Sequence, residues 1–191
     1  MKIKKLISLC KHNKFISLMY DRERDQQWLS DGHGIFLLDV MPVIDTQCLC
    51  MMYDIDDKQQ EKIAMYDKEL PEYLNLKDTT DDETEAEMLG LSINLNGGTL
   101  VPIMTEEGIL YIDRKYFEPL TDNQENTWRF TLRHDSMNRP LIIVKLGLFV
   151  IAAVYTFKGP EMFIEKLETL YKQTALAIEN ENEHKETPTR G

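Results

Sequence analysis

The chain has 191 residues, of which 42% are hydrophobic and 29% charged, so it is long and apolar enough to bury a globular core. Its formal net charge of -11 excludes a protein whose whole surface grips nucleic acid, although a local basic patch is compatible with that charge. The longest apolar stretch, residues 141–157, is too short and too interrupted for a membrane helix, and no signal-peptide core follows the first lysines. We therefore expect a cytoplasmic protein with no membrane partner.

The first third of the chain predicts a helix, three strands and two short helices. Residues 2–13 carry apolar side chains on one helical face, namely Ile3, Leu6, Ile7 and Cys10. Strand-like segments follow at residues 15–20, 27–29 and 35–38. Asp45 suits the N-cap of a helix over residues 45–53, and Asp56 begins a second helical stretch that extends to residue 62.

The remainder of the chain begins with an acidic segment and continues with strands. Residues 77–87, KDTTDDETEAE, have no aromatic side chain and predict a solvated, mobile linker. Gly97-Gly98 between two apolar runs predicts a hairpin, and Asp113 is expected to cap a helix over residues 114–120. Three further strands are expected at residues 127–134, 140–144 and 148–157.

The C-terminal segment predicts a helix and a disordered tail. Gly159-Pro160 is a typical helix start, and a helix over residues 160–179 is expected. Its apolar face would consist of Phe163, Leu167, Leu170, Thr174 and Ile178. The polar residues 182–191 are expected to be disordered.

The order of predicted elements occurs twice, which favours an internal repeat. Each copy reads helix, strand, polar turn, strand, tight glycine-bearing turn, strand. The copies lie within units of about residues 1–76 and 88–157, joined by the acidic linker 77–87. We therefore predict an α+β fold, in which residues 1–181 form a single domain of two related helix-plus-antiparallel-strand units with an added C-terminal helix.

The segment Asp31-Gly32-His33-Gly34 has two interpretations. Asp31 and His33 could form a metal-binding or catalytic corner, but no third ligand is placed by spacing. The alternative is a turn between strands, in which the Asp31 carboxylate caps turn amides and the glycines supply backbone freedom. Because no nucleotide-binding, metal-binding or hydrolase motif is present, we expect no catalytic residue, no metal and no cofactor.

The cysteines do not suggest a metal or disulfide framework. Cys10, Cys48 and Cys50 are an odd number without a CxxC pair, and no histidine lies close to the last two in sequence. We interpret all three as reduced and mostly buried.

The doubled unit resembles one domain of the DNA sliding-clamp family, the beta subunits of bacterial polymerase III. Residues 30–34, SDGHG, look like the TDGHR corner of that family, and residues 108–120, GILYIDRKYFEPL, resemble its strand-then-helix segment. Residues 139–157, RPLIIVKLGLFVIAAVYTF, are similar to its closing strands. The chain also resembles uncharacterised proteins of phages and mobile elements of Gram-positive gut bacteria. The sequence departs from the clamp pattern at Gly34, where clamps have a basic residue, and it has room for one domain instead of three.

The resemblance implies a DNA-clamp-like fold and a function in replication or recombination as an accessory protein. Clamps line their DNA channel with helices, so the resemblance implies weak DNA contact through lysines of the first helix and its end, namely Lys4, Lys5, Lys11 and Lys14. The alternative for these lysines is a solvated helix face. For Trp28 and Trp128 core packing is the default interpretation, and both are interface candidates because an exposed tryptophan would indicate an interface.

The leading functional hypothesis is therefore a non-enzymatic, clamp-like binding protein that acts through a protein partner and also contacts DNA. A single domain cannot close a ring, so homo-oligomers are compatible with this hypothesis. One alternative is a small enzyme or metal site that uses the Asp31/His33 corner. Another is an acidic inhibitor that masks the basic surface of a host nucleic-acid-binding protein.

Overall fold

A computed structural model describes residues 1–39, 41–81, 83–95, 97–120, 127–158, 165–166, 169–170 and 172–174. The chain divides into two compact units, Met1–Phe157 and Lys158–Gly191. The first unit is a mixed α+β fold built around a large sheet, as the sequence predicts.

The helices and strands have the following bounds. The helices are α1 (Ile3–Asn13), α2 (Thr46–Met52) and α3 (Asp57–Gln60). The strands are β1 (Phe15–Asp21), β2 (Gln26–Ser30), β3 (Gly34–Leu37), β4 (Ala64–Glu69), β5 (Thr84–Met88), β6 (Ile93–Leu95), β7 (Gly98–Thr105), β8 (Gly108–Asp113), β9 (Trp128–His134), β10 (Pro140–Leu146), β11 (Phe149–Tyr155) and β12 (Phe157–Lys158). No helix in the described part of the chain combines the length and the apolar character that crossing a bilayer requires.

The strands pair in the order β12-β8-β7-β5-β9-β10-β11-β3-β2-β1-β4, and β6 pairs with β7. Neighbours from β9 to β1 are antiparallel, whereas β4 runs parallel to β1 at one end of the sheet. The halves of the sheet join where β3 meets β11, through three residue pairs centred on Ile35 and Ala153. The strand β4 is absent from the sequence prediction, because its mostly exposed residues AMYDKE show no buried face.

Two hydrophobic clusters lie on opposite faces of the sheet because side chains alternate along each strand. On β1, Ile16 and Leu18 belong to a large cluster that includes Leu6, Ile7 and Cys10 of α1. Met19, the residue after Leu18, points to the other face and belongs to a smaller cluster with residues of β2, β3, β10 and β11, which Leu74 and Leu76 cover. The chain between β4 and β5 thus closes the face that α1 leaves open.

The prediction of a mobile acidic linker over residues 77–87 is wrong for its C-terminal part. Residues 84–88 form β5, which pairs with β9 through its first residues and with β7 through its last two. Just before it, Glu83 forms ion pairs with Arg133 of β9 and Lys145 of β10, whose side chains are only 3% and 8% exposed. A low content of apolar residues does not prevent order here, because backbone pairing and buried basic partners hold the segment.

The predicted helix over residues 114–120 is a short 3-10 turn at Arg114–Tyr116. The expected cap is present, since the Asp113 carboxylate accepts a hydrogen bond from the Lys115 amide at 3.1 Å. Pro119 explains the early end, because proline disfavours the α conformation of the residue before it and lacks an amide hydrogen. The two predicted repeat units therefore differ. α1 directly precedes β1, whereas the described residues between β8 and β9, which omit residues 121–126, contain no α-helix.

The C-terminal prediction lies mostly outside the described residues. Residues 165–166, 169–170 and 172–174 are helical, within the helix expected over residues 160–179. The other residues of that expected helix, and the tail 182–191, are not among the described residues.

The junction between β3 and β11 requires a residue without a side chain at Gly34. A Cβ atom there would lie 2.6 Å from Cε2 of Phe36 and 3.0 Å from Cδ1 of Tyr116. Both rings are buried, so neither can move away without disturbing its packing.

We expect Gly34→Ala to lower the free energy of unfolding by about 1–3 kcal/mol, which is typical of overpacking a core. Chemical denaturation checks this value. Gly98→Ala is the matched control, because a Cβ atom at Gly98 would meet its nearest neighbours at 3.7 Å. Equal stability of the two variants would contradict the expected crowding at Gly34.

We also expect Glu83→Gln to destabilise the protein by roughly 3–5 kcal/mol, because it leaves two buried basic side chains without a counter-charge. Burial by itself would raise the pKa of the Glu83 carboxyl, but the hydrogen bonds and charges of Lys145 and Arg133 lower it overall. A lowered folded-state pKa means that the stabilisation is present above the unfolded-state pKa and is lost as the pH falls through the folded-state value.

Denaturation midpoints at several pH values below 5 should therefore fall less steeply in Glu83→Gln than in the parent protein. Glu87→Gln is the control, since Glu87 lies on the same segment and is exposed. If the denaturation midpoint of Glu83→Gln fell as steeply below pH 5 as that of the parent protein, Glu83 would not be the titrating group.

Candidate nucleic-acid interface and the Asp31 corner

The helix α1 presents a basic surface because its apolar residues face the core. Leu6, Ile7 and Cys10 are buried, whereas Lys4 and Lys5 are exposed and Lys11 lies half-buried at the edge of the buried face. No acidic residue occurs in the helix, and its last turn contains Lys11 and His12. This part of the sequence prediction, an amphipathic helix with lysines outward, is confirmed.

The four candidate DNA-binding lysines have different surroundings. The Nζ atom of Lys5 lies 3.0 Å from a carboxylate oxygen of Glu118, with both side chains more than half exposed. The Nζ atom of Lys11 donates to the backbone oxygen of Tyr53 at 3.4 Å. Lys4 and Lys14 are exposed and form no ion pair with another described residue. Two of the four lysines are thus directly available to a phosphate.

A groove of about 710 Å³ lies between the end of α1 and the β6–β7 turn. His12, Arg114 and Lys115 contribute basic groups to its lining, and Asp113 and Glu118 contribute acids. Arg114 and Lys115 are balanced by the two carboxylates, and Lys115 pairs directly with Asp113 at 3.2 Å, so with histidine counted as neutral the groove has no excess of positive charge. Arg114 and Lys115 were not among the predicted site residues, although their position directly after the capping Asp113 is visible in the sequence.

The corner at residues 31–34 is a turn between β2 and β3. The Asp31 carboxylate accepts hydrogen bonds from the amides of His33 (3.0 Å) and Gly34 (2.7 Å). Gly32 has a φ of +94°, which favours glycine. The capping interpretation is therefore confirmed, and Asp31 is only 1% exposed.

The same carboxylate connects three parts of the fold. The Asn13 side-chain amide, at the end of α1, donates to Asp31 Oδ2 at 2.8 Å and to the Tyr116 hydroxyl at 3.2 Å. Burial and the nearby Asp31 charge raise the pKa of Tyr116 and that of the Cys10 thiol well above their ordinary values. Both groups therefore remain protonated and neutral at physiological pH.

The histidines and cysteines near this corner do not assemble into a metal site within the described residues. His33 is exposed, and its ring centroid lies 6.4 Å from that of Tyr116. Two other side chains that could serve as ligands have partners elsewhere: His134 pairs with Glu107 and Asp135 pairs with Arg139. The three cysteines are free; Cys10 and Cys50 are buried as expected, whereas Cys48 is exposed.

The two tryptophans differ in exposure. Trp28 is 0% exposed within the smaller core cluster, so the default interpretation of core packing is confirmed for it and it is not an interface candidate within this chain. Trp128 is partly exposed, stacks on Phe117 with ring centroids 6.3 Å apart, and lines a groove of about 950 Å³ beside Leu148. The sequence does not distinguish the two tryptophans, since each is expected near the start of a strand.

We expect Asp31→Ala to lower the free energy of unfolding by about 1–3 kcal/mol, because the half-buried Asn13 amide and the turn donors lose their acceptor. His33→Ala should leave stability nearly unchanged, since its side chain is exposed. Chemical denaturation of both variants measures the difference, and elemental analysis of the parent protein measures bound metal. Stoichiometric zinc that is lost in His33→Ala would contradict a purely structural corner.

Comparisons with known proteins assign no family to this fold. No family model, curated protein or solved structure matches the chain. Function therefore has to follow from the contacts of the chain's own residues.

Proposed function

We propose that the protein is a non-enzymatic, clamp-like binding protein that contacts nucleic acid weakly through α1 and acts chiefly through a protein partner. The observation that carries the proposal is the palindromic strand order β1-β2-β3-β11-β10-β9 in the centre of the sheet. Two three-strand meanders, β1–β3 and β9–β11, meet through their last strands. Because β3 and β11 are antiparallel, this arrangement is the one that a local two-fold axis would produce.

The first turns of the two meanders support their equivalence. In the β1–β2 turn, Asp21 accepts hydrogen bonds from two turn amides and from the Arg24 side chain. In the β9–β10 turn, Asp135 accepts hydrogen bonds from two turn amides and from the Arg139 side chain. In both turns, burial would raise the pKa of the aspartate, but the arginine and amide hydrogen bonds lower it overall.

The turns also share an unusual backbone feature. Each has one non-glycine residue with positive φ just before its second strand, Asp25 (53°) and Asn138 (58°). Such residues are uncommon, and aspartate and asparagine tolerate the conformation best. Similar chemistry at equivalent positions supports a doubled unit, even though no helix matching α1 precedes β9 in the described residues.

The groove of about 950 Å³ that Trp128 lines offers an acidic surface for the protein partner. Glu85 and Glu87 line the 950 Å³ groove together with Trp128 and Phe130, so carboxylates lie beside aromatic rings. A basic partner with an apolar residue would suit this surface. The same surface supports the second candidate function, an acidic inhibitor of a nucleic-acid-binding protein. The Asp31 corner forms no part of the proposal, because Asn13 and the turn amides already occupy its carboxylate.

Binding to duplex DNA tests the α1 surface. We expect the parent protein to bind labelled duplex at low salt with a Kd of about 10⁻⁴ M or weaker, because the net charge of -11 opposes binding. Lys4→Gln/Lys14→Gln should weaken binding and reduce the log-log salt slope by about 1.8, which corresponds to two lost phosphate contacts.

The matched control is Lys58→Gln/Lys62→Gln, which removes the same charge from exposed lysines in and after α3. Equal weakening by both double variants would mean that only net charge matters and would remove α1 from the proposal. Absence of binding at low salt would remove nucleic acid altogether and leave the role directed at a protein.

A further inference from the structure

A small cavity lies on the sheet face opposite α1, beneath the segment that follows β4. Its volume is about 170 Å³, and its polar lining comes from Ser17, Ser30, Lys68, Tyr73, Arg139 and Tyr155. The remaining lining is mostly apolar, with Phe15 and Leu74 among the walls. The cavity is therefore a polar pocket in the otherwise apolar surroundings of the smaller core cluster.

Ser17 contributes a buried hydroxyl without a partner to this cavity. Its side chain is 1% exposed, and its Oγ atom forms no hydrogen bond with any described residue. Buried hydroxyl groups in folded proteins almost always have a hydrogen-bond partner. An orphaned donor at the wall of a cavity therefore indicates that a group inside the cavity completes its hydrogen bonding.

Ser30 provides a second hydroxyl next to the first. Ser17 and Ser30 are directly opposite each other on β1 and β2, so their side chains lie on the same face. The Ser30 Oγ atom accepts a hydrogen bond from the Gly32 amide at 3.1 Å, which leaves its own hydrogen free to donate. The pair thus presents two O–H donors to one acceptor.

The charges around the cavity favour a negatively charged ligand. Arg139 is balanced by the buried Asp135 at 2.6 Å, and its guanidinium lies 4.6 Å from the centre of the Tyr155 ring. Lys68, on the edge strand β4, forms no ion pair with a described residue. The cavity therefore has two hydroxyl donors and one uncompensated positive charge, and no uncompensated carboxylate among its lining residues.

The geometry points to a binding site for a small organic anion, with its oxyanion group held by Ser17, Ser30 and Lys68. A carboxylate or a phosphate supplies the acceptors that these groups lack. The cavity is smaller than typical drug-sized pockets of roughly 300–1,000 Å³, so the ligand has only a few carbon atoms. The phenyl and leucine walls suit a short apolar body.

The test uses the full chain and three probes of similar size: butyrate, inorganic phosphate and the neutral butanol. Amide chemical shifts in a ¹H–¹⁵N NMR titration at constant ionic strength report binding and its location. We expect butyrate or phosphate to shift the amides of residues 17, 30 and 32 saturably, with a Kd of roughly 1 mM or below. Butyrate and phosphate as separate arms distinguish a carboxylate site from a phosphate site.

Two variants connect the binding to the cavity. Ser17→Ala and Lys68→Gln should each weaken binding at least about fivefold, and Ser17→Ala should not lower stability, because it removes a hydroxyl that has no partner. The controls are Ser8→Ala on the exposed side of α1 and Lys62→Gln, which should bind like the parent.

Three outcomes would overturn the site. Equal saturable binding of butanol would show an apolar cavity without anion selectivity. Shifts that do not saturate would show that the anions do not bind specifically. Saturable shifts that Ser17→Ala and Lys68→Gln leave unchanged would show that the anions bind outside the cavity.

Discussion

The short contact between β3 and β11 is the constraint on which the rest of the fold depends. The four residues of β3 are buried, so their backbone amides and carbonyls need partners on both sides. They find them in β2 on one side and β11 on the other. Without this contact the chain would have two separate meanders, and neither hydrophobic cluster would be continuous across the sheet.

The aspartates of the turns play the same physical role throughout the molecule. Asp21, Asp31 and Asp135 each lie at or near the end of a strand and accept hydrogen bonds from amides within two to four residues. An ionised carboxylate is well suited to this position because it accepts several hydrogen bonds at once. Part of the acidic excess of the chain therefore serves local structure, and only the remainder is available to a partner.

The sequence predicts well those elements whose pattern reflects local chemistry. The apolar spacing of α1, the strand-like segments that form β1–β3 and the glycines of the residue 31–34 turn all correspond to the structure. The sequence does not predict the order of a segment or the burial of a side chain where residues distant in sequence determine it. Glu83 is ordered by Arg133 and Lys145, and Trp28 is buried by elements that come from both halves of the chain. The 3-10 turn before Pro119 is an intermediate case, because the proline is visible but its effect competes with a good helix cap.

The order of the strands also has a consequence for synthesis of the chain. β3 is complete at Leu37, but its partner β11 begins only at Phe149. At roughly 5–20 residues per second, translation leaves the outer edge of β3 unpaired for on the order of ten seconds. An apolar strand with a free edge is a site where nascent chains can pair with one another. The β1–β3 meander is therefore exposed to this pairing until β11, the strand that covers the edge of β3, has been synthesised.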